Sequence, residues 1–320
     1  AEFEAARETL AKSLNSPTSK QVIWVRGTTE AMNLITQTYG AANVKAGQKI
    51  IVSGLEHHSN IVPWQMLAEK NGAEVLPIPI TADGEIDLAA YEAMLDDSVA
   101  IVSVAHVSNA MGTINPIKDI IAKAKAVGAA TIIDGAQGIS HFDVDVQDLG
   151  CDFYCFSGHK NFGPTGIGVL WGNLELLEAM PPWHGGGEMI ETVRFEGTTY
   201  AGLPFKFEAG TPNIADAIAL AAAFDYVAQF NRADLVAHEK ELEQYCVEKL
   251  SEIEGFKRVG NAKNTAAVVS FLIEGLHPSD IGALMDQHGV AVRTGHHCAQ
   301  PLMHGFDIPG TIRASFSIYN

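Results

Sequence analysis

The chain has 320 residues, 47% of them hydrophobic, enough apolar surface for one large domain and a smaller one. Its formal net charge of -17 argues against a sequence-independent nucleic-acid or acidic-membrane binder, because either needs a basic face. Four scattered cysteines suit a reducing cytosol rather than a disulfide framework, and no apolar run approaches the ~20 residues of a membrane span.

From the N-terminus, the β-branched run 22–25 predicts a strand, and Thr28-Thr29-Glu30 opens an amphipathic helix reaching about residue 39. A threonine at the cap leaves hydroxyls and free backbone amides that suit a phosphate, a weak signal alone because many helices begin this way. A second strand, 49–53, leads to Glu56-His57-His58-Ser59-Asn60, where a flat imidazole can stack on a planar cofactor; a lone histidine is more often structural. Strands follow at 73–80 and 99–105, and a helix at 119–127 leads into the strand 131–134 of ATIIDGAQ. Asp134 thereby ends a buried strand, where open α/β sheets place their ligands. The run 153–157 precedes SGHKNFGPTGIGVLW, which puts Lys160 in a glycine-rich turn, and 167–171 predicts another strand. Cys151 and Cys155, an even number of positions apart, are expected on one buried face.

This alternation implies a mostly parallel sheet covered by helices, an α/β fold. Residues 181–213, rich in glycine and proline, interrupt it; a loop this long is more often functional than a structureless linker. Helices at 214–230 and 234–253 lead to a smaller α+β part with a strand in 266–273, the loop RTGHHCAQPLM and the terminal TIRASFSIYN. No internal repeat or low-complexity tract is present.

Three side chains carry the chemical reading. A lysine shielded from water has a lowered pKa and the neutral amine that an aldehyde cofactor requires, although most isolated lysines are solvated. Asp134 can pair with a pyridine nitrogen and keep such a ring protonated. Cys298, flanked by His296 and His297, sits among polar neighbours that favour a nucleophilic thiolate. A buried inert cysteine and a metal site made by His296, His297 and Cys298 compete with that reading, but Cys151 and Cys155 lack zinc-ligand spacing and the chain has no HExxH.

Together SGHK with GPTGIG, DGAQ, RGTTEAMN, EHHSNIVPWQ, HVSN and above all RTGHHCAQP resemble a group II, SufS-type cysteine desulfurase of the fold type I, class V aminotransferase superfamily, essentially from end to end. The resemblance implies pyridoxal 5'-phosphate as cofactor, with Lys160 holding it covalently and moving the substrate's α-proton. His57 would stack over the ring, Asp134 would face its nitrogen and Gln137 its phenolic oxygen. Thr28, Thr29, Ser157 and His159 would hold the phosphate, joined by Thr211 from the opposite subunit of a homodimer. Asn109 would lie near the substrate, Arg313 would clamp its carboxylate, and Cys298 would take sulfur from L-cysteine, leaving alanine and a persulfide. A cytoplasmic enzyme feeding iron-sulfur cluster assembly through a SufE- or SufU-type acceptor is the implied setting. Selenocysteine lyase acting on L-selenocysteine is the nearest alternative; another class V enzyme, a non-catalytic remnant or a metal protein is more distant. The resemblance places a large cofactor-binding domain over 1–228 and a small domain over 229–320, and full-length relatives have a segment before Ala1 and a helix after Asn320.

Overall fold

The computed structural model describes all of Ala1–Asn320. Strands β1 (Val22–Val25), β2 (Lys49–Ser53), β3 (Glu74–Ile78), β4 (Val99–Ala105), β5 (Ala130–Asp134), β6 (Phe153–Ser157) and β7 (Gly168–Gly172) form a seven-stranded sheet in the order β1-β7-β6-β5-β4-β2-β3. The pairs from β3 through β6 are parallel, whereas β7 is antiparallel to both β6 and β1. One strand therefore breaks the parallel rule, since hydrophobic periodicity carries no information about strand direction.

The β-branched and aromatic runs become strands because both faces of this sheet are covered. Tyr154 and Phe156 enter one buried cluster while Phe153 and Cys155 enter the other. Each such aromatic side chain removed from water is worth roughly 1.5–3 kcal/mol, which offsets the entropy of ordering the strand. Cys151 departs from its expected place: it precedes the strand and packs in the cluster opposite Cys155, so the two cysteines do not share a face.

The first helix after β1 spans Thr28–Ile35 and widens into a π-helical turn at Thr36–Gly40. Thr36 Oγ1 and Thr38 Oγ1 each donate back to the carbonyl four residues earlier at 2.6 Å, a bond that bends helices. Residues 181–213 contain an exposed hairpin of β8 (Ile190–Arg194) and β9 (Gly197–Tyr200). Later in the same segment, Glu208 is fixed by Arg7, whose Nη1 and Nη2 donate to its carboxylate at 2.6 and 2.9 Å.

A second sheet, of four strands, is formed by β10 (Phe256–Arg258), β11 (Val268–Ile273), β12 (Arg293–Gly295) and β13 (Thr311–Ser315), in the order β10-β11-β13-β12. The helix Arg232–Ser251 lies against β10 and β11. No helix is long and apolar enough to cross a membrane.

Candidate active site

A cavity of about 320 Å³ opens at the carboxyl ends of the parallel strands, lined by Thr28, Thr29, His57, Asn109, Asp134, Gln137, Ser157, His159, Lys160, Arg293 and Arg313 among others. The strand-to-turn junctions at the ends of β1, β2, β4, β5 and β6 each deliver at least one of these groups, which is the placement that open α/β sheets give their ligands. All but two of the site residues read from the sequence meet here. Thr211 is exposed and lines a different cavity with Trp24, Glu30 and His184. Cys298 stands at the rim, half-buried, with Sγ 3.4 Å from Nη2 of Arg293, a cavity residue.

One end, the candidate phosphate end, is built by Gly27, Thr28 and Ser157. Thr28 N–H donates to Ser157 Oγ at 2.9 Å, and the two hydroxyl oxygens lie 3.0 Å apart. The next amides, of Thr29 and Glu30, have no partner within the chain, and they point out of a helix start where the dipole favours an anion. Gly27 has φ +151°, and a Cβ there would stand 2.9 Å from Ser157 Oγ, so glycine lets the turn after β1 come this close to the end of β6.

At the other end, Asp134 is buried and its Oδ1 accepts only the Ala136 amide, at 2.9 Å. Burial pushes its pKa up, opposed by the positive charge of Lys160. The same burial pushes Lys160 down, with Arg313 and Arg293 adding to it and Asp134 opposing, so its neutral amine is more accessible than that of a surface lysine. His57 is held to about 4, first by burial and then by Lys160, His58 and Arg293. It is a neutral ring at physiological pH. Its Nδ1 accepts Ser59 N–H at 3.0 Å, which leaves the proton on Nε2.

Arg293 and Arg313 are direct cross-strand partners on β12 and β13. Like charges in that register are destabilising. Burial and Arg293 lower Arg313 to about 10, which leaves it cationic. Its Nη1 donates to Asn109 O at 2.6 Å, while its Nε is buried with no partner. Two arginines and a lysine against one aspartate, in a chain of net charge -17, form a site that wants anions. A planar pyridine bearing a phosphate, with a substrate carboxylate beside it, fits these unpaired donors, the buried carboxylate and the flat His57 ring.

The cysteine loop follows β12. His297 and Cys298 both adopt left-handed backbone, φ +54° and +57°, at about 1–2 kcal/mol each for residues bearing a Cβ. The loop is held from outside: Asn109 Nδ2 donates to His297 O at 2.6 Å, and His297 Nε2 lies 2.8 Å from Thr311 Oγ1. His297 is thus a buried prop, kept neutral near 4 by burial first and by Arg313 and Arg293. His296 Nδ1 accepts the Cys298 amide at 3.1 Å. The two rings face different partners, and His296, His297 and Cys298 do not form a group of three side chains that could hold a metal ion.

A profile of the aminotransferase class-V family matches residues 1–320. A probable cysteine desulfurase of Vibrio cholerae is 52% identical over 319 residues, covering 100% of this chain and 79% of that protein. The chain belongs to the aminotransferase class-V family, among its cysteine desulfurases. A cysteine desulfurase of Yersinia pestis is 47% identical, again with 79% of its length covered. Among solved structures, the Escherichia coli cysteine desulfurase CsdA superposes with a TM-score of 0.97 at 41% identity, covering 100% of this chain and 79% of that one.

Residues of this desulfurase site that the sequence reading left without a role are Arg293, Ser59 and Glu56. Arg293 opens the quoted string RTGHHCAQP, and its charge next to Cys298 was the available signal. Glu56 is fully buried under the His57 turn, where its carboxylate accepts from Ser53 Oγ, from Asn60 Nδ2 at 2.6 Å and from the Ala105 amide at 2.9 Å. Burial raises it to about 7 against those hydrogen bonds.

Proposed function

We propose that this chain converts L-cysteine to L-alanine with pyridoxal phosphate as its cofactor and Cys298 as the sulfur acceptor. The carrying observation is the convergence of Lys160, Asp134, Arg293 and Arg313 on one cavity with Cys298 Sγ at its rim. Thr28, Thr29, Ser157 and His159 would hold the phosphate, Asp134 the ring nitrogen, Gln137 the phenolic oxygen and His57 the ring face, with Lys160 as the covalent anchor. When bound, the cofactor supplies an electron sink next to the substrate's α-carbon.

In this reading Arg313 receives the substrate carboxylate, using the Nε that has no partner in the fold. Lys160 takes the α-proton and returns one. The Cys298 thiolate attacks the substrate sulfur: an S–S bond forms, the C–S bond breaks, and its electron pair stays with carbon, which is protonated to give alanine. The sum is cysteine plus enzyme thiol to alanine plus enzyme persulfide. Arg293 Nη2 lies 3.4 Å from Sγ, placing a cation beside the sulfur that would attack.

The same reading divides the chain into a cofactor domain over 1–228 and a small domain over 229–320, and assigns it to group II. It also makes the protein a homodimer in which the exposed Thr211 serves the neighbouring subunit's phosphate. The persulfide would pass to a SufE- or SufU-type protein for iron-sulfur cluster assembly in the cytoplasm. Single-turnover reaction of the cofactor-loaded chain with L-cysteine, followed by mass spectrometry of the peptide containing Cys298, tests the core of it. Equimolar alanine and a sulfur adduct on Cys298 are expected; alanine with an unmodified Cys298 would contradict the assignment.

A further inference from the structure

The cysteine loop follows β12 of the small sheet, whereas most of the cavity lining comes from the strand ends of the large sheet, so something must hold the thiol at the rim. The loop cannot do so by its own preference, since His297 and Cys298 are consecutive residues in left-handed backbone. His58, next to the ring-stacking candidate but absent from the cavity lining, touches the loop at two points, at Cys298 itself and two residues beyond it. Its backbone N–H donates to Cys298 O at 2.8 Å, and its ring Nε2 accepts the Gln300 amide at 3.1 Å. Gln300 begins the helix Gln300–Gly305, so the second bond also uses an amide that the helix itself leaves free.

We infer that His58 is a positioning residue that clasps the cysteine loop to the turn after β2, keeping Cys298 Sγ at the mouth of the cofactor cavity. This rests on the reading of Cys298 as the sulfur acceptor. The clasp is anchored from below. Glu56 and Asn60 lock the turn into the large sheet: Asn60 Oδ1 accepts Ser103 Oγ at 2.5 Å and Trp64 Nε1 at 2.9 Å, while Glu56 accepts the Ala105 amide. From above, Ala299 is fully buried and carries the loop into the core. The ring can accept only while neutral, and burial, with His296 next, lowers the His58 pKa in that direction. Nε2 then holds the lone pair and Nδ1 the proton.

The role differs from that of His57. Loss of the clasp frees Cys298 but leaves Lys160, Asp134 and the phosphate end untouched, so it affects sulfur transfer and not α-proton chemistry. His58→Ala and His58→Gln separate the possibilities, because a glutamine Oε1 can reach the place of Nε2 and accept the same amide without titrating. In the cofactor-loaded chain, His58→Ala is expected to slow alanine release and adduct formation on Cys298 about fivefold to tenfold, the loss of one modest hydrogen bond. Deuterium exchange at the α-carbon of L-alanine should stay within about twofold of wild type. Backbone hydrogen exchange in the peptide spanning 293–303 should quicken in His58→Ala, and His58→Gln should recover both the protection and most of the rate. Unchanged adduct formation in His58→Ala would overturn the inference. So would a His58→Gln variant as slow as His58→Ala, which would point to proton transfer by the ring, or a parallel loss of α-carbon exchange. If wild type itself releases alanine with no adduct on Cys298, the sulfur-acceptor reading falls and takes this inference with it, a result the variants alone cannot produce.

Discussion

The strand ends of the large sheet and the cysteine loop of the small sheet contribute to one site by opposite means. Asp134 ends β5 and Lys160 follows β6, neighbouring parallel strands whose residues are all buried. Their positions are set by the core itself. Cys298 sits on half-exposed, left-handed backbone, held by individual hydrogen bonds from His58, Asn109 and Thr311. In the proposed reaction, the groups that would stabilise charge on carbon are therefore fixed by packing, while the group that would move sulfur is fixed by a few polar contacts. The reaction should divide along the same line.

The largest expected effect comes from breaking the sheet side. Lys160→Ala should lower both α-proton exchange and alanine release by about 10³-fold to 10⁴-fold, the scale of losing a positioned acid-base group. Absorbance after gel filtration should still show cofactor retained by the phosphate end. A variant that lost release alone would move Lys160 to the sulfur half.

Arg313→Lys probes the boundary between the two regions, because Arg313 lies on β13 yet bonds to Asn109 and faces the cavity. Lysine keeps the charge but not the fork, so KM for cysteine should rise by about tenfold or more. Steady-state kinetics should show kcat changing less than KM.

A smaller effect concerns pH and stability. His57, His106 and His297 are each lowered to about 4, chiefly by burial, and are neutral in the fold. Unfolded, each would titrate near 6.5, so the unfolded state binds more protons between about 6.5 and 4. Their stabilising contribution is complete above 6.5 and is lost as pH falls through that window. Glu56, raised to about 7, acts in the other direction, its contribution being lost as pH rises through 7. Thermal unfolding of the apo chain should therefore shift down between pH 6.5 and 4, and His106→Gln should flatten that slope. An unchanged slope would mean that His106 already titrates normally in the fold.

How much was legible follows the same division. The strands of the large sheet, and with them Asp134 and Lys160, were readable because burial on both faces writes itself as short β-branched runs. The antiparallel course of β7 was not, since a strand pattern has no direction. The hairpin β8–β9 escaped because ETVR and GTTY carry no buried face. The error over Cys151 came from extending a strand two residues too far toward the N-terminus, across the half-exposed Asp152. The cavity groups after β1, β2 and β4 were recognisable from motifs, yet the contact of His58 with Gln300 spans 242 positions and only the folded chain shows it.

The most direct test of the account compares Cys298→Ser with wild type, measuring α-carbon deuterium exchange of L-alanine and single-turnover alanine release from L-cysteine in the same cofactor-loaded preparations. The account predicts exchange within about twofold of wild type and release reduced by more than about 10²-fold. Exchange falling together with release, or release surviving the substitution, would contradict it.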